Sequence, residues 1–229
     1  MATLPEELGV FDTETTGVDD EARIVTTYVA RMDRDGNILE ECYWIIDPGI
    51  DIPEVASDIH GVTTEIAQRD GFDSKQSITE IIAMLDKFQS MGLPIVAYNA
   101  AFDFTILKRE AKRHGIDSFV PTMVIDGFVV DKKLNRYRKG KRTLSVVAAS
   151  YGIEIGNAHD ARADCVAAGK LAWKQLAQIN LPPAEIHRRS IKYAADQAAS
   201  LQEYFRKSDP SAIVDGTWPI RAEKEEVVA

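Results

Sequence analysis

Cysteine is scarce in this chain, and its two copies, Cys42 and Cys165, stand far apart. Isolated cysteines lack the paired spacing of a zinc site or of a disulfide framework, so we expect both to be reduced. No apolar run is long enough to cross a membrane, and residues 1–7 lack the pattern of a secretion signal. We therefore expect a cytoplasmic protein without a membrane partner.

A surplus of positive charge is also missing, because the 229-residue chain has a formal net charge of -9. A protein that coats nucleic acid non-specifically is expected to be basic, so this class is disfavoured. An enzyme that grips nucleic acid through metals and one local basic patch remains compatible with the charge. The basic segment, residues 132–142, carries seven Lys or Arg residues around Tyr137. It is consistent with a solvated loop or with a phosphate-binding segment.

Two carboxylates follow a short apolar strand near the start of the chain. Residues 8–10 are predicted to end a buried strand, and Asp12 and Glu14 come directly after it. Side chains two positions apart on a strand share a face, so these two repel each other unless a cation lies between them. Taken alone, this motif is better explained by a solvated strand end before a turn.

Two further acidic residues lie on predicted helices. Asp103 is in the first turn of its helix, where the helix dipole by itself favours a carboxylate. Asp164 shares a helix face with Ala168 and Leu171, and a carboxylate on a core face is costly unless it is paired with an Arg or bound to metal. His159 precedes Asp164 by five residues and, taken alone, is consistent with a capping or surface histidine.

The predicted elements follow the order strand, strand, strand, helix, strand, helix, strand, helix, helix. This order predicts an α/β fold with a mixed sheet and helices on both faces. Pro182 and Pro183 interrupt the chain, and residues 184–207 are predicted to form one more amphipathic helix. We expect one domain at residues 1–180 and a C-terminal helix and tail at 181–229.

Three stretches together resemble the exonuclease motifs of the DEDDh family. They are Phe-Asp-Thr-Glu-Thr-Thr-Gly at 11–17, Tyr-Asn-Ala-Ala-Phe-Asp at 98–103 and His-Asp-Ala-Arg-Ala-Asp at 159–164. The chain is similar to the proofreading epsilon subunit of bacterial DNA polymerase III. This resemblance implies a ribonuclease H-like fold with about five strands, one of them antiparallel. Tyr98 departs from the family pattern, since many members carry His before the Asn.

The resemblance also implies roles for individual residues. Two Mg²⁺ or Mn²⁺ ions, roughly 3.5–4 Å apart, would be held by four carboxylates. Asp12 would bridge both ions. Glu14 and Asp164 would hold the ion on the nucleophile side, and Asp103 would hold the other ion. His159 would take the proton from the attacking water, because an unperturbed imidazole titrates near about 6.5. The residues implied to line the site of the terminal nucleotide are Thr13, Thr15, Thr16, His60, Val62, Asn99 and Phe102.

The sequence therefore predicts a 3′–5′ exonuclease that releases nucleoside monophosphates from single-stranded or frayed DNA ends, in proofreading or trimming. An alternative is an enzyme with the same chemistry that acts on RNA, as ribonuclease T-like and oligoribonuclease-like members do. The 2′-OH distinguishes the two substrates, and no residue of the sequence shows whether it is accepted or rejected. A third hypothesis is a non-catalytic module that binds a DNA polymerase or sliding clamp through the helix at 184–207. The four acidic residues together with His159 argue against this third class.

Overall fold

The computed structural model describes residues 3–155 and 161–222. Within these residues the chain forms five strands and eight helices. The strands are β1 (Glu7–Thr15), β2 (Ile24–Asp33), β3 (Ile38–Ile45), β4 (Ile95–Ala97) and β5 (Val124–Asp126). The helices are α1 (Glu54–His60), α2 (Thr64–Asp70), α3 (Ser74–Ser90), α4 (Ala100–His114), α5 (Gly127–Leu134), α6 (Leu144–Ser150), α7 (Ala161–Ile179) and α8 (Pro183–Phe205). None of these helices combines the length and the apolar composition that a membrane crossing requires.

One sheet organises the fold, with its strands in the order β3-β2-β1-β4-β5. Strand β2 is antiparallel to both of its neighbours, whereas β1, β4 and β5 run parallel to one another. The predicted mixed sheet with one antiparallel strand is therefore confirmed. Because β1, β4 and β5 are parallel, their carboxyl ends meet at the same edge of the sheet, which is where such folds bind ligands.

Alternating side chains of β1 enter two different apolar cores. Phe11 packs on Phe104, with ring centroids 5.3 Å apart, in the core beneath α3 and α4. Val10 and Met32 belong to the opposite core, beneath α7. Gly169 permits that close packing, because a Cβ there would lie 2.4 Å from Met32 Sδ and 3.2 Å from Val10 Cγ1. The close approach brings the start of α7 next to β1.

Strand β1 is longer than the sequence indicated, since it includes Asp12 and Glu14 instead of ending before them. Both residues continue the alternate positions of Leu8 and Val10, so they point toward the face covered by α7. The pairing with β2 then shifts register after Glu14. This bulge bends the strand where its two carboxylates lie.

Helix α5 was not predicted from the sequence. It follows β5 directly, and its end overlaps the basic segment, which the sequence left as a solvated loop or a phosphate-binding segment. Asp126 explains its start, because this carboxylate accepts hydrogen bonds from the backbone N–H of Phe128 (2.9 Å) and of Val129 (3.3 Å). The basic segment therefore begins as the last turn of a helix.

The C-terminal tail returns to the sheet after α8. Trp218 is buried, and its indole Nε1 donates a 3.0 Å hydrogen bond to Asp126 Oδ2. Shortly after Trp218, the backbone N–H of Arg221 donates to Thr105 Oγ1 of α4 at 2.8 Å. The tail thus connects the end of β5 with α4.

We expect Trp218→Phe to lower the free energy of unfolding by about 1–3 kcal/mol, because Asp126 loses a buried hydrogen bond while most apolar packing remains. Urea unfolding followed by far-UV circular dichroism measures this change. Trp173→Phe is a matched control, since its indole Nε1 donates to the neutral carbonyl of Pro5 at 2.8 Å. The control should cost about 0.5–1.5 kcal/mol, and an equal or larger loss there would contradict the expectation.

Candidate active site

Four acidic side chains from three distant parts of the chain form the acidic cluster at this edge of the sheet. They are Asp12 and Glu14 of β1, Asp103 in the first turn of α4, and Asp164 in the first turn of α7. Burial raises the pKa of Asp12 well above its ordinary value. The other three carboxylates raise it further, and Asp103 has the largest effect of the three. The four groups therefore lie near enough to repel one another.

Asp103 is the most deeply buried member of the acidic cluster, at 3% exposure. Thr13 holds it in place, because the Thr13 backbone N–H (3.1 Å) and Oγ1 (2.9 Å) both donate to Asp103 Oδ1. Burial raises the pKa of Asp103 to about 7, against the lowering effect of these hydrogen bonds. Thr13 thus ties α4 to β1 directly beside Asp12.

The buried thiol of Cys165 lies close to the same carboxylates. Burial raises the pKa of Cys165, and the charges of Asp12, Asp103 and Asp164 raise it further. Its Sγ donates a weak hydrogen bond to the carbonyl of Tyr28 at 3.9 Å. Cys165 therefore remains a neutral thiol that packs α7 against the sheet.

The acidic cluster suits a hard divalent cation, because carboxylate oxygens are ligands that Mg²⁺ and Mn²⁺ prefer. A bound cation would also relieve the repulsion that raises the pKa of Asp12. In residues 3–155 and 161–222, no three His, Cys, Asp or Glu side chains are grouped closely enough to hold an ion by themselves. The carboxylates thus have the oxygen ligands and the negative charge that a divalent cation requires. In their described positions, however, no three of them are close enough to coordinate one ion.

A cleft of about 600 Å³ opens beside the acidic cluster, and Glu14 and His60 both line it. Burial lowers the pKa of His60 more than the nearby Thr15 backbone raises it. The Nδ1 atom of His60 accepts a hydrogen bond from the backbone N–H of Val62 at 3.2 Å. Its Nε2 is buried next to the Thr15 backbone. His60 is therefore a neutral imidazole that forms part of the wall of the cleft.

One wall of this cleft contains a hydrogen-bonded set that the sequence patterns did not indicate. Tyr28 lies opposite Asp12 in the pairing of β1 with β2, and its hydroxyl donates to Glu41 Oε2. Arg162 Nε pairs with the same oxygen at 3.0 Å. Burial and the bond to Glu41 raise the pKa of Tyr28 above its ordinary value. The place of Arg162 within the third motif is a signal in the sequence that could have revealed this wall.

Three of the residues assigned to the terminal nucleotide are held by internal contacts. Thr15 Oγ1 donates to the carbonyl of Gly17 at 2.6 Å, and Thr16 Oγ1 accepts from the backbone N–H of Arg23 at 3.0 Å. Both hydroxyls thus shape the turn that follows β1. Val62 is buried in a small apolar cluster under α1 and α2.

The two remaining assigned residues, Asn99 and Phe102, lie partly exposed at the start of α4. Asn99 has φ 66°, a left-handed conformation that Asn tolerates. Its backbone N–H donates to Asp126 Oδ1 at 3.0 Å, and Ala100 N–H donates to Asp126 Oδ2 at 3.0 Å. Asp126 therefore fixes the start of the helix that carries Asp103, a role that the sequence did not reveal although Asp126, like Asp12, directly follows an apolar run.

The predicted base, His159, lies outside the described residues, because the structure describes nothing between 155 and 161. The described part of the site thus contains the four carboxylates and the cleft. The proton-transfer role of His159 stays a prediction from the third motif.

Carboxylates gathered at the end of the central strand of a mixed sheet are compatible with metal-assisted hydrolysis of phosphodiesters. A family profile described as Exonuclease matches residues 10–172. The chain belongs to this exonuclease family, which confirms the resemblance drawn from the three motifs and the prediction that the protein is a nuclease.

A stretch of the DNA polymerase III PolC-type protein of Lacticaseibacillus paracasei is 27% identical to this chain over 167 residues. That alignment covers 73% of this chain and 11% of the polymerase. The chain therefore spans about a tenth of the length of the curated relative that it matches.

Two solved structures share the fold. Exonuclease X in complex with 5′ overhanging duplex DNA gives a TM-score of 0.58 at 18% identity, covering 80% of this chain and 99% of the other. The nuclease domain of 3′hExo, a DEDDh family member bound to rAMP, gives 0.63 at 12% identity, covering 78% and 95%. The predicted ribonuclease H-like fold is thereby confirmed.

Proposed function

We propose that this protein is a 3′–5′ exonuclease that releases nucleoside monophosphates from DNA by two-metal-ion hydrolysis. The observation that carries the proposal is the acidic cluster, in which burial and three neighbouring carboxylates raise the pKa of Asp12. Membership of the exonuclease family supports phosphodiester hydrolysis at a strand end.

In this proposal, the acidic cluster supplies the ligands for two Mg²⁺ or Mn²⁺ ions. When bound, such ions would supply Lewis-acid stabilisation of the attacking and the leaving oxygen at phosphorus. His159 accepts the proton of the attacking water. Thr13 orients Asp103 through its two hydrogen bonds, and Asp126 orients the first turn of α4.

We assign the terminal nucleotide to the cleft beside Glu14. The neutral imidazole of His60 lines this cleft, and the partly exposed Phe102, next to Asp103 at the start of α4, offers a ring on which any base stacks. The turn residues Thr15 and Thr16 support the cleft from behind the end of β1. Such a site favours single-stranded or frayed ends with little sequence preference.

DNA is favoured as the substrate because the sequence relative is a DNA polymerase and Exonuclease X was solved with DNA. RNA is the second candidate, since 3′hExo was solved with rAMP. The association of the chain with a DNA polymerase or sliding clamp in the cytoplasm is a further proposal, supported by the likeness to PolC. We assign the chemistry to residues 1–180 and treat 181–229 as a C-terminal extension, of which α8 packs on β5 and α5.

Matched DNA and RNA strands, labelled at either the 3′ or the 5′ end and digested with Mg²⁺ or Mn²⁺, test this function. Strands labelled at the 5′ end should shorten stepwise, whereas strands labelled at the 3′ end should release a labelled mononucleotide at once. Chelation should stop both reactions. Stepwise shortening of 3′-labelled strands would reject the polarity, and faster digestion of RNA would select the second candidate.

A further inference from the structure

A second concave site, the basic pocket, lies between α5 and α8 and has a volume of about 510 Å³. One wall comes from the end of α5 and the segment that follows it, and the other comes from α8. The cationic wall contains Lys132, Lys133, Arg136 and Arg142, and the opposite wall contains Tyr193 and Tyr204. None of these residues belongs to the acidic cluster.

Most of the positive charge in the basic pocket is uncompensated. Arg142 pairs with the buried Asp131. The other three cations, which form no ion pair within the described residues, are Lys132, Lys133 and Arg136. Asp196 also lines the pocket, but it pairs with Lys192 at 3.0 Å. Such a concentration of cations in a chain of net charge -9 favours an anionic ligand.

The cations of the basic pocket lie over aromatic rings. Lys132 Nζ lies 4.1 Å from the centroid of the Phe128 ring, and Lys133 Nζ lies 5.0 Å from that of Tyr193. Tyr204 is 63% exposed at the α8 wall. Exposed rings beside cations are the combination that binds single-stranded nucleic acid, because phosphates contact the cations and bases stack on the rings.

Direct contacts connect the basic pocket with the edge of the sheet that carries the acidic cluster. The Phe128 ring, beneath Lys132, lies 5.9 Å from the ring of Tyr98. The Tyr98 hydroxyl donates to the carbonyl of Arg142 at 2.7 Å. Tyr98 stands at the carboxyl end of β4, which is parallel to β1 and ends at the same edge. The basic pocket is therefore joined through Phe128 and Tyr98 to the edge of the sheet that carries the acidic cluster.

The family match ends at residue 172, whereas α8 begins at Pro183. Half of the basic pocket is thus built by a part of the chain outside the matched domain. We propose that the basic pocket binds the substrate strand upstream of its 3′ end, with phosphates on Lys133 and Arg136 and a base on Tyr204. This inference rests on the proposed function, because it assigns the pocket to the same nucleic-acid strand.

The test compares two double variants of the full chain. The pocket pair is Lys133→Glu/Arg136→Glu, and the control pair is Lys139→Glu/Lys141→Glu. The second pair reverses equal charge in the same basic segment but does not line the pocket. Fluorescence anisotropy in EDTA measures the Kd for a thymidine oligonucleotide of about 20 nucleotides. The measurement is repeated at salt concentrations between about 50 and 200 mM. We expect the pocket pair to weaken binding about tenfold or more. The slope of the logarithm of the binding constant against the logarithm of the salt concentration should become shallower by about 0.7 for each phosphate that the variant no longer binds. The control pair should change Kd less than about threefold.

A second readout is the ratio of kcat/KM for the long oligonucleotide to kcat/KM for a thymidine dinucleotide, which is too short to span both sites. The pocket pair should lower this ratio about tenfold relative to the control pair, and Tyr204→Ala should weaken anisotropy binding about tenfold. Equal effects of the two pairs on Kd would overturn the inference. Unchanged binding of the oligonucleotide by the pocket pair would also overturn it, and this result is expected if the pocket binds an acidic protein segment instead. If the wild type bound the strand through this pocket but cleaved no nucleic acid, the proposed function would fail while the pocket assignment stood.

Discussion

Replacement of Asp12 by Asn is expected to reduce the release of nucleotides from DNA by about 10³-fold or more, because in the proposed mechanism Asp12 would lose the charge with which it would hold the cations. Single-turnover digestion with saturating Mn²⁺ measures this loss. Asp35→Asn is the control, since Asp35 is exposed in the turn between β2 and β3, at the opposite end of β1 from the acidic cluster. Activity of Asp12→Asn within about tenfold of the wild type would remove Asp12 from the metal site.

The same variant should remain folded, and in EDTA it should be more stable than the wild type at about pH 8. Burial and the neighbouring carboxylates raise the pKa of Asp12, and burial raises that of Asp103 to about 7. A carboxyl group with a raised pKa in the folded state makes the metal-free protein less stable as the pH rises from about 4, where the unfolded chain ionises. For Asp103 the loss is complete above about pH 7.

Thermal melts between about pH 4 and pH 8 should therefore show an advantage of Asp12→Asn over the wild type that grows with pH. Addition of Mn²⁺ should raise the Tm of the wild type and leave the variant nearly unchanged, because a cation that binds the folded state stabilises it. An advantage that shrinks as the pH rises would contradict the repulsion within the acidic cluster.

Replacement of Asp131 by Ala is expected to lower the free energy of unfolding by about 3–5 kcal/mol, because Arg138 and Arg142, which are 16% and 13% exposed, lose their buried partner. The Asp131 side chain is fully buried and accepts from Arg138 at 2.8 Å and 3.0 Å, from Asn135 at 2.8 Å and from Arg142. Burial alone would raise the pKa of Asp131, but these donors outweigh it and hold the pKa below its ordinary value. This stabilisation is present above about pH 4 and is lost as the pH falls through the lowered folded pKa.

Urea unfolding at about pH 7 measures the effect of Asp131→Ala, with Asp196→Ala as the control for an exposed ion pair. The control should change the free energy of unfolding by about 1 kcal/mol or less. A loss in Asp131→Ala no larger than that of the control would show that Arg138 and Arg142 find other partners in the folded protein.

The pattern of the sequence was sufficient where local spacing decides the outcome. Asp12 and Glu14 lie two positions apart, so their side chains share one face in any extended backbone. Their shared orientation was therefore predictable even though the predicted strand ended too early. Asp164 was recognisable because it shares a helix face with small apolar residues. The convergence of these side chains with Asp103 required the three motifs together, since no local pattern reveals which strand ends are neighbours.

The same kind of reasoning missed features that depend on partners far along the chain. Helix α5 begins with Gly127 and contains Val129 and Val130, which are poor helix formers. It forms because Asp126 caps it and because its face packs on α7 and α8. In the basic segment, spacing gave no sign that Arg138 and Arg142 are structural partners of Asp131 whereas Lys133 and Arg136 face a pocket.

The hydrogen bond between Trp218 and Asp126 has a consequence for synthesis of the protein on the ribosome. Asp126 also receives the N–H groups of Asn99 and Ala100 at the start of the helix that carries Asp103. A nascent chain therefore completes the surroundings of this helix only after Trp218 has emerged from the exit tunnel. Nuclease activity should accordingly appear late in translation, well after the residues of the matched domain have been made.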